Sequence, residues 1–418
     1  MQSNIKDFLN VIRSRGFINQ TTDINLLQKQ YNKIIGYTGF DCTSNTLHVG
    51  SLLQLMLLRW LQKTNNKPIV LLGGGTTKIG DPSGKDTTRK ILTENEISKN
   101  SKGIHKVIKK YITFNDSENG AILVNNCEWL DNLNYIDFLR NYGKYFSVNR
   151  MLTFDSVKTR LDREQNLSFL EFNYMITQAY DYYYLNKKLN CNVQFGGSDQ
   201  WGNIINGIDL IKRASNKINN NVHAITSPLI TTANGNKMGK TEKGAIWLSE
   251  EDLSVFDFWQ FWRNTMDEDV GKFLKIFTEI DLKEIHRLEK LKDEEINEAK
   301  IILANSITEL THGSEKCKAV MSSIKAIFNN EIEKSDLPNV NLERKKFKDG
   351  IQLYKLFCLE NILCSSNSDA RRLIKQGAAK INGKKITDFN HMIDEKNIES
   401  NIIHISIGKK KHATVTII

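Results

Sequence analysis

The sequence predicts an α/β fold: a doubly wound parallel sheet with covering helices, followed by an all-helical segment and a small α+β unit. Three observations carry this. Short apolar runs alternate with helical periodicity up to about residue 215, as when parallel strands are joined by crossover helices. From about Glu250 to Phe328 the periodicity is helical throughout. Beyond a polar stretch carrying Pro338, a short helix pattern is followed by Asn382-Gly383, the dipeptide of a two-residue hairpin turn.

In chain order, Lys33–Phe40 reads as a strand and Leu52–Gln62, rich in apolar residues, as the helix after it. Pro68–Leu72 is a second strand ending in Gly73-Gly74-Gly75. Ala121–Val124 is a third and Cys191–Phe195 a fourth, with helices at Tyr135–Tyr145 and Leu167–Leu189. In such a sheet, ligands sit at the carboxyl ends of the strands. Glu331–Asp349 lacks apolar periodicity and reads as a linker, and Ser368–Gln376 as a helix stopped by Gly377. The expected boundaries are 1–230, 231–330, 331–349 and 350–418.

A chain of 418 residues is too long for one ordinary domain, and 40% hydrophobic with 25% charged residues is a globular rather than a disordered composition. No run of about 18 apolar residues occurs. The start, Met1-Gln2-Ser3-Asn4-Ile5-Lys6-Asp7, has no basic segment followed by an apolar stretch, so a cytoplasmic protein without a membrane partner is expected. The six cysteines form no C-x-x-C pair and have no histidine at metal spacing, which predicts reduced thiols and no structural metal. A net charge of +10 argues for a polyanionic partner, although solvated lysines alone produce such an excess too. Residues 351–418 carry eleven Lys and Arg against six Asp and Glu, so half of the excess lies there.

The chemistry is concentrated in short motifs. Tyr37-Thr38-Gly39-Phe40-Asp41 leads through Thr43 into His48-Val49-Gly50-Ser51. A chain leaving a strand at Gly39 and entering a helix near His48 presents backbone N–H groups and a helix N-terminus, both suited to phosphate, and Gly50 allows close approach of a nucleotide. Gly196-Gly197-Ser198-Asp199-Gln200-Trp201-Gly202-Asn203 follows the fourth strand. Lys237-Met238-Gly239-Lys240-Thr241 lies in a loop rich in Asn, Gly and Lys, where two lysines three apart suit a triphosphate whose charge moves toward pyrophosphate in the transition state. The stretch Gly73 to Lys85 invites a phosphate-loop reading, but Ile79 stands where the first glycine is required and Asp86 follows Lys85, which weakens a kinase or GTPase reading. Tyr174, Gln178 and Asp181 fall at i, i+4 and i+7 on one helix face, with Phe172, Ile176 and Ala179 on another suited to the core.

In order and spacing these motifs resemble the tyrosine-specific branch of the class I aminoacyl-tRNA synthetases, of the bacterial type, whose catalytic domain is Rossmann-like. The resemblance spans nearly the whole chain and is strongest in residues 33–89, 170–205 and 235–242. It implies activation of L-tyrosine by ATP, with Mg2+, to tyrosyl-adenylate and pyrophosphate, then transfer to the 3′-terminal ribose of tRNA(Tyr). It further implies a homodimer and no DNA partner. By resemblance Thr43 and His48 contact the outer phosphates, Lys85 and Arg89 reach pyrophosphate, and Lys237, Lys240 and Thr241 form the second signature. Gly39, Asp41, His48, Gly50, Ser51, Gly197, Asp199 and Lys240 belong to the nucleotide site, with Asp199 on the ribose. The second histidine of the first signature is replaced by Ser51, and Cys42 stands where proline is frequent. Tyr174, Gln178 and Asp81 hold the amino group, Tyr37 and Asp181 the phenolic hydroxyl, and Gln194 and Gln200 line the pocket, Gln200 near the carboxylate. Asn126 and Trp129 also match its surroundings. A buried Asp and Tyr left without a partner by phenylalanine make that substrate costly to accept.

The last unit, through Ser366 to Gly377 and Lys380-Ile381-Asn382-Gly383, resembles the small RNA-binding module of ribosomal proteins. Arg371, Arg372 and Lys375 then form a basic edge toward the RNA backbone, and the helical segment contributes on the anticodon side. Two alternatives stay open: a tryptophan-specific synthetase with the same fold and ATP motifs, and a non-catalytic RNA-binding protein built on a synthetase scaffold.

Overall fold

The computed structural model describes residues 4–83, 91–214, 222–235, 238–241, 244–329, 338–348, 350–394, 402–408 and 411–418. They fall into two compact units, 1–320 and 321–418. In the first, β1 (Gln20–Thr21), β2 (Ile35–Asp41), β3 (Lys67–Gly73), β4 (Ile122–Asn125), β5 (Val193–Gly197) and β6 (His223–Ser227) form one sheet in the order β1-β6-β5-β2-β3-β4. All neighbours are parallel except β1, which joins β6 antiparallel at the edge. The four expected strands are present, each within two residues of its expected start. Two-residue β1 is too short, and β6, with His223, Thr226 and Ser227 among its five residues, too polar, to announce themselves.

The central position of β3 follows from its sequence. From Pro68 to Gly73 every residue is buried, the continuous apolar run of a strand covered on both faces. The helix Val49–Lys63 covers one face; it buries Leu52, Leu53, Leu55, Met56, Leu57, Leu58 and Leu61, a girdle wider than a single stripe. Its outer side is taken by two further helices, Asn4–Ser14 and Asp267–Phe277. Asn4–Ser14 shows Ile5, Phe8, Leu9 and Ile12 at helical spacing, all buried, although the sequence reading assigned it no role. On the other face, Phe169–Leu189 starts at Ser168, whose hydroxyl and Glu171 make a reciprocal capping box, and stops at Asn190 in the left-handed region.

The helices from Val255 to residue 320 fall in the same compact unit as the sheet. The physical reason is a set of polar ties that periodicity cannot reveal. The Arg15 guanidinium donates to the carbonyls of Lys275 and Thr278, each at 3.0 Å, and of Ile280 at 2.7 Å. Arg59 pairs with Glu279 at 2.6 Å, and the Tyr111 hydroxyl donates to Thr311 at 2.8 Å.

A short pair, β7 (Lys240–Thr241) and β8 (Gly244–Ala245), closes the first unit's strand inventory among the described residues. The second unit contains β9 (Asn339–Leu342), β10 (Ile351–Gln352), β11 (Ala379–Ile381), β12 (Lys384–Ile386), β13 (Met392–Ile393), β14 (Ile402–Ile407) and β15 (Lys411–Ile417). Five of them form a sheet in the order β12-β11-β14-β15-β9. The expected hairpin is present: Ile381 pairs with Lys384 across Asn382 and Gly383, with φ of 46° and 79° as a two-residue turn of this type requires. The expected linker 331–349 is corrected in its second half. Asn339–Leu342 runs parallel to β15 and buries Val340 and Leu342, and Phe347 is fully buried. A four-residue edge strand has too few alternations to register as periodicity in a polar stretch.

Candidate active site

The order of the sheet makes β2 and β5 neighbours, with the chain winding outward from β2 to β3 and β4 on one side and from β5 to β6 on the other. The crevice at their carboxyl ends is the topological switch point of a doubly wound sheet. Tyr37 and Gln194 are register partners across this seam, so their side chains share a face. Tyr37 is 1% and Gln194 2% exposed. The Tyr37 hydroxyl and Gln194 Oε1 are both buried without a hydrogen-bond partner. A buried polar atom left in this state costs roughly 1–3 kcal/mol, which a ligand or an ordered water can offset.

Asp181 lies close by on the helix Phe169–Leu189, itself 1% exposed. Its Oδ1 accepts the Trp129 indole N–H at 2.7 Å and its Oδ2 the Asn126 amide at 3.0 Å. Burial pushes its carboxyl up to about 7, against those two hydrogen bonds, which favour the charged form. Burial, and after it the Asp181 carboxylate, drive the Tyr37 phenol well above its ordinary value. The Tyr37 ring leans on Tyr182, with centroids 5.5 Å apart.

A second polar set lies between Asp41 and Asp81. The Tyr174 hydroxyl donates to Asp41 Oδ2 at 3.0 Å, and Thr76 donates to Asp41 Oδ1 at 2.8 Å. Thr76 in turn accepts the Asn126 amide at 3.0 Å, which ties Asp41 to the Asp181 group. Gly73 permits this: a Cβ there lies 2.2 Å from Asp41 Oδ1. Asp81 Oδ1 accepts the Ser83 backbone N–H at 2.9 Å, and Oδ2 the Gln200 amide at 2.9 Å. Asn203 links Gln200 at 3.2 Å to Gln178 at 2.9 Å. The i, i+4, i+7 trio therefore does not point to solvent: Tyr174 and Asp181 are buried and Gln178 is half-buried.

The first and third motifs meet at the N-terminus of the helix Val49–Lys63. His48 is its N-cap, with Nδ1 accepting the Gly50 N–H at 2.9 Å, so the neutral ring carries its proton on Nε2. Val49 N–H donates to the Ile246 carbonyl at 2.8 Å, and Ile246 N–H to the Gly239 carbonyl at 3.0 Å. Gly239 has φ +87°, and a Cβ on it lies 3.0 Å from the Gly50 nitrogen. Only glycine passes at this distance in this conformation. Gly39, Thr43, Gly50 and Asp199 are exposed, and Ser51 and Gly197 half-buried. The backbone of Lys240 and Thr241 forms β7. Lys85, Arg89 and Lys237 lie outside the described residues.

In the second unit, Arg371, Arg372 and Lys375 are exposed on the helix Asn367–Lys375. The Arg371 guanidinium stacks over Tyr354 at 4.0 Å, Lys375 approaches the Phe389 ring at 5.1 Å, and Arg372 pairs with Asp369 at 2.6 Å. Sequence reasoning missed Thr76 and gave Asn203 no role. Thr76 was hidden inside a failed phosphate-loop pattern, while Asn203 ends the Gly196 to Asn203 motif and was findable there.

No helix among the described residues is long and apolar enough to cross a membrane. Residues 29–329 match the family model of class I tRNA synthetases (W and Y), and residues 330–415 that of the tyrosine–tRNA ligase SYY-like C-terminal domain. The chain is 53% identical to the tyrosine–tRNA ligase of Pelagibacter ubique over 98% of its own length and 99% of the relative's. It is 50% identical to that of the Wolbachia of Brugia malayi over 98% and 99%. A C-terminally truncated mitochondrial tyrosyl-tRNA synthetase of Aspergillus nidulans superposes with a TM-score of 0.69 at 31% identity, covering 77% of this chain and 94% of that one. A tryptophanyl-tRNA synthetase of Plasmodium falciparum, at 18% identity and a TM-score of 0.52 over 76% and 89% of the two chains, shares the fold alone. By fold, by the motifs gathered at its switch point and by these matches, the chain belongs to the class I tRNA synthetases of the W and Y family.

Proposed function

We infer that the chain is an ATP-dependent ligase that joins L-tyrosine to tRNA(Tyr), forming tyrosyl-adenylate and pyrophosphate on the way. The observation that carries the choice of tyrosine is the Tyr37 hydroxyl, buried without a partner beside an Asp181 whose two oxygens are held by Trp129 and Asn126. A phenol entering there donates to the carboxylate and accepts from Tyr37; a phenyl ring leaves both groups unmatched, and an indole, a donor only, cannot accept from Tyr37.

Asp81, Tyr174 and Gln178 receive the substrate ammonium group, and Gln200 and Gln194 complete the walls. The substrate carboxylate, already ionised, attacks the α-phosphorus, so the chain supplies positioning and charge stabilisation rather than a strong base. His48 through Nε2–H, Thr43 and the lysines of the Lys237 to Thr241 motif meet the phosphates, with Lys85 and Arg89 on pyrophosphate; Gly39, Asp41, Gly50, Ser51, Gly197 and Asp199 border the nucleotide. Mg2+ enters with ATP as its chelate, as phosphoryl chemistry on a nucleoside triphosphate requires. Arg371, Arg372 and Lys375 bind the tRNA backbone, and the helices after Val255 serve its anticodon side. The protein acts in the cytoplasm as a homodimer.

Exchange of labelled pyrophosphate into ATP, run with tyrosine, phenylalanine and tryptophan in parallel, tests this. Exchange with tyrosine alone is expected. Exchange driven by tryptophan moves the substrate assignment, and none with any amino acid favours an RNA-binding role without activation.

A further inference from the structure

The carboxylate of Asp269 has no part in the mechanism above, yet it is 5% exposed, on the first turn of the helix Asp267–Phe277. Its Oδ2 accepts the backbone N–H of Ala233 at 2.7 Å. One turn on, the Lys272 ammonium donates to the Thr231 carbonyl at 3.0 Å. Both residues therefore grip the segment that runs into the Lys237 to Thr241 motif. That segment is turned by Gly235 N–H donating to Thr232 O at 2.8 Å, and Met238 N–H returns to Ile230 O at 2.9 Å. Past Met238 the chain docks on the signature helix through Gly239 and Ile246, as described above.

The helix making this grip is itself fixed. Arg15 holds the carbonyls at its C-terminal end, and its body packs on Val49–Lys63, the helix that His48 caps. A polar anchor of this kind has a purpose a merely covered surface lacks: a buried carboxylate is expensive, and apolar packing alone would cover the segment. We propose that Asp269, assisted by Lys272, is a positioning residue that registers the approach to the Lys motif against the helix capped by His48, and so sets the efficiency of the ATP step without touching the tyrosine pocket. The proposal rests on the reading that the Lys motif serves ATP.

The full-length chain carrying Asp269→Ala or Asp269→Asn provides the test. Asn keeps an oxygen to accept the Ala233 N–H, whereas Ala removes it. In the absence of substrates, amide hydrogen exchange of peptides within residues 229–235 is expected to speed up in Asp269→Ala and to stay near wild type in Asp269→Asn. In pyrophosphate exchange at saturating tyrosine, the Ala variant is expected to lose about tenfold or more in kcat/KM for ATP, the size expected for a hydrogen bond to a charged group. Tyrosine affinity, read by equilibrium dialysis, should be unchanged, and the Asn variant should recover most of the loss. Unchanged amide exchange in the Ala variant overturns the proposal whatever the activity. Equal losses in tyrosine affinity and in the ATP step also overturn it, by showing a general structural defect. A wild-type enzyme without tyrosine-dependent exchange overturns the functional reading instead, while the amide-exchange comparison still decides whether Asp269 is the anchor.

Discussion

Trp129 holds Asp181 by a 2.7 Å hydrogen bond from its indole N–H, inside a site where burial raises the carboxyl to about 7. Two opposite pH dependences follow. The carboxyl rises from 3.8 in the unfolded chain, so its contribution to stability is complete below that value and is lost as pH rises through about 7. On the proposed role of Asp181, tyrosine binding needs the carboxylate and runs the other way. Between these values, wild type should lose stability with rising pH relative to Asp181→Asn, while its kcat/KM for tyrosine rises. Chemical denaturation and pyrophosphate exchange across this range check the two, and parallel trends contradict the assignment.

Replacing Tyr37 with phenylalanine removes a buried hydroxyl that has no partner in the free protein. The variant should be at least as stable as wild type, because the removed group cost roughly 1–3 kcal/mol unsatisfied. Its preference for tyrosine over phenylalanine should fall on the order of tenfold, the loss of one buried hydrogen bond. Denaturant midpoints and exchange rates with the two amino acids measure both; a drop in stability with selectivity intact sinks the role.

His48 combines two duties that substitution can separate. Asparagine caps helices as well as any residue, so His48→Asn should keep the stability that His48→Ala loses, about 0.5–2 kcal/mol. Both variants should lose the ATP step, since neither presents Nε2–H to phosphate, while tyrosine affinity stays near wild type. Full activity in the Asn variant, together with loss of activity in His48→Asp, which caps but has no N–H, would show that a side-chain N–H rather than the imidazole itself is required.

The strand Asn339–Leu342 decides where the second unit can be removed. A chain ending at residue 337 should retain tyrosine-dependent pyrophosphate exchange and lose efficiency in charging tRNA. A chain ending at residue 344 keeps β9 without β15, exposing Val340 and Leu342 on an unpaired edge, and should aggregate more readily. Charging kinetics and light scattering on the two truncations test this, and unchanged charging by the shorter chain removes the RNA-binding role of the second unit.

Legible along the chain were the strand–helix alternation, the strands through Tyr37, Ile69 and Val193, the hairpin at Asn382-Gly383, and the shared helix face of Tyr174, Gln178 and Asp181. Each is set within a few consecutive residues, by apolar period, by turn chemistry or by helical spacing, and such rules are readable along the chain. The sequence did not reveal β1, β6 or β9, which are too short or too polar to show a period, nor that the helices after Val255 join the sheet unit. Tertiary structure alone decided that Tyr37 lies opposite Gln194, that Asp181 is enclosed by Trp129 and Asn126, and that Thr76 bridges toward Asp41. These partners come from different strands and helices, and neither a buried hydroxyl without a partner nor a carboxyl raised by burial exists until packing has excluded water around it.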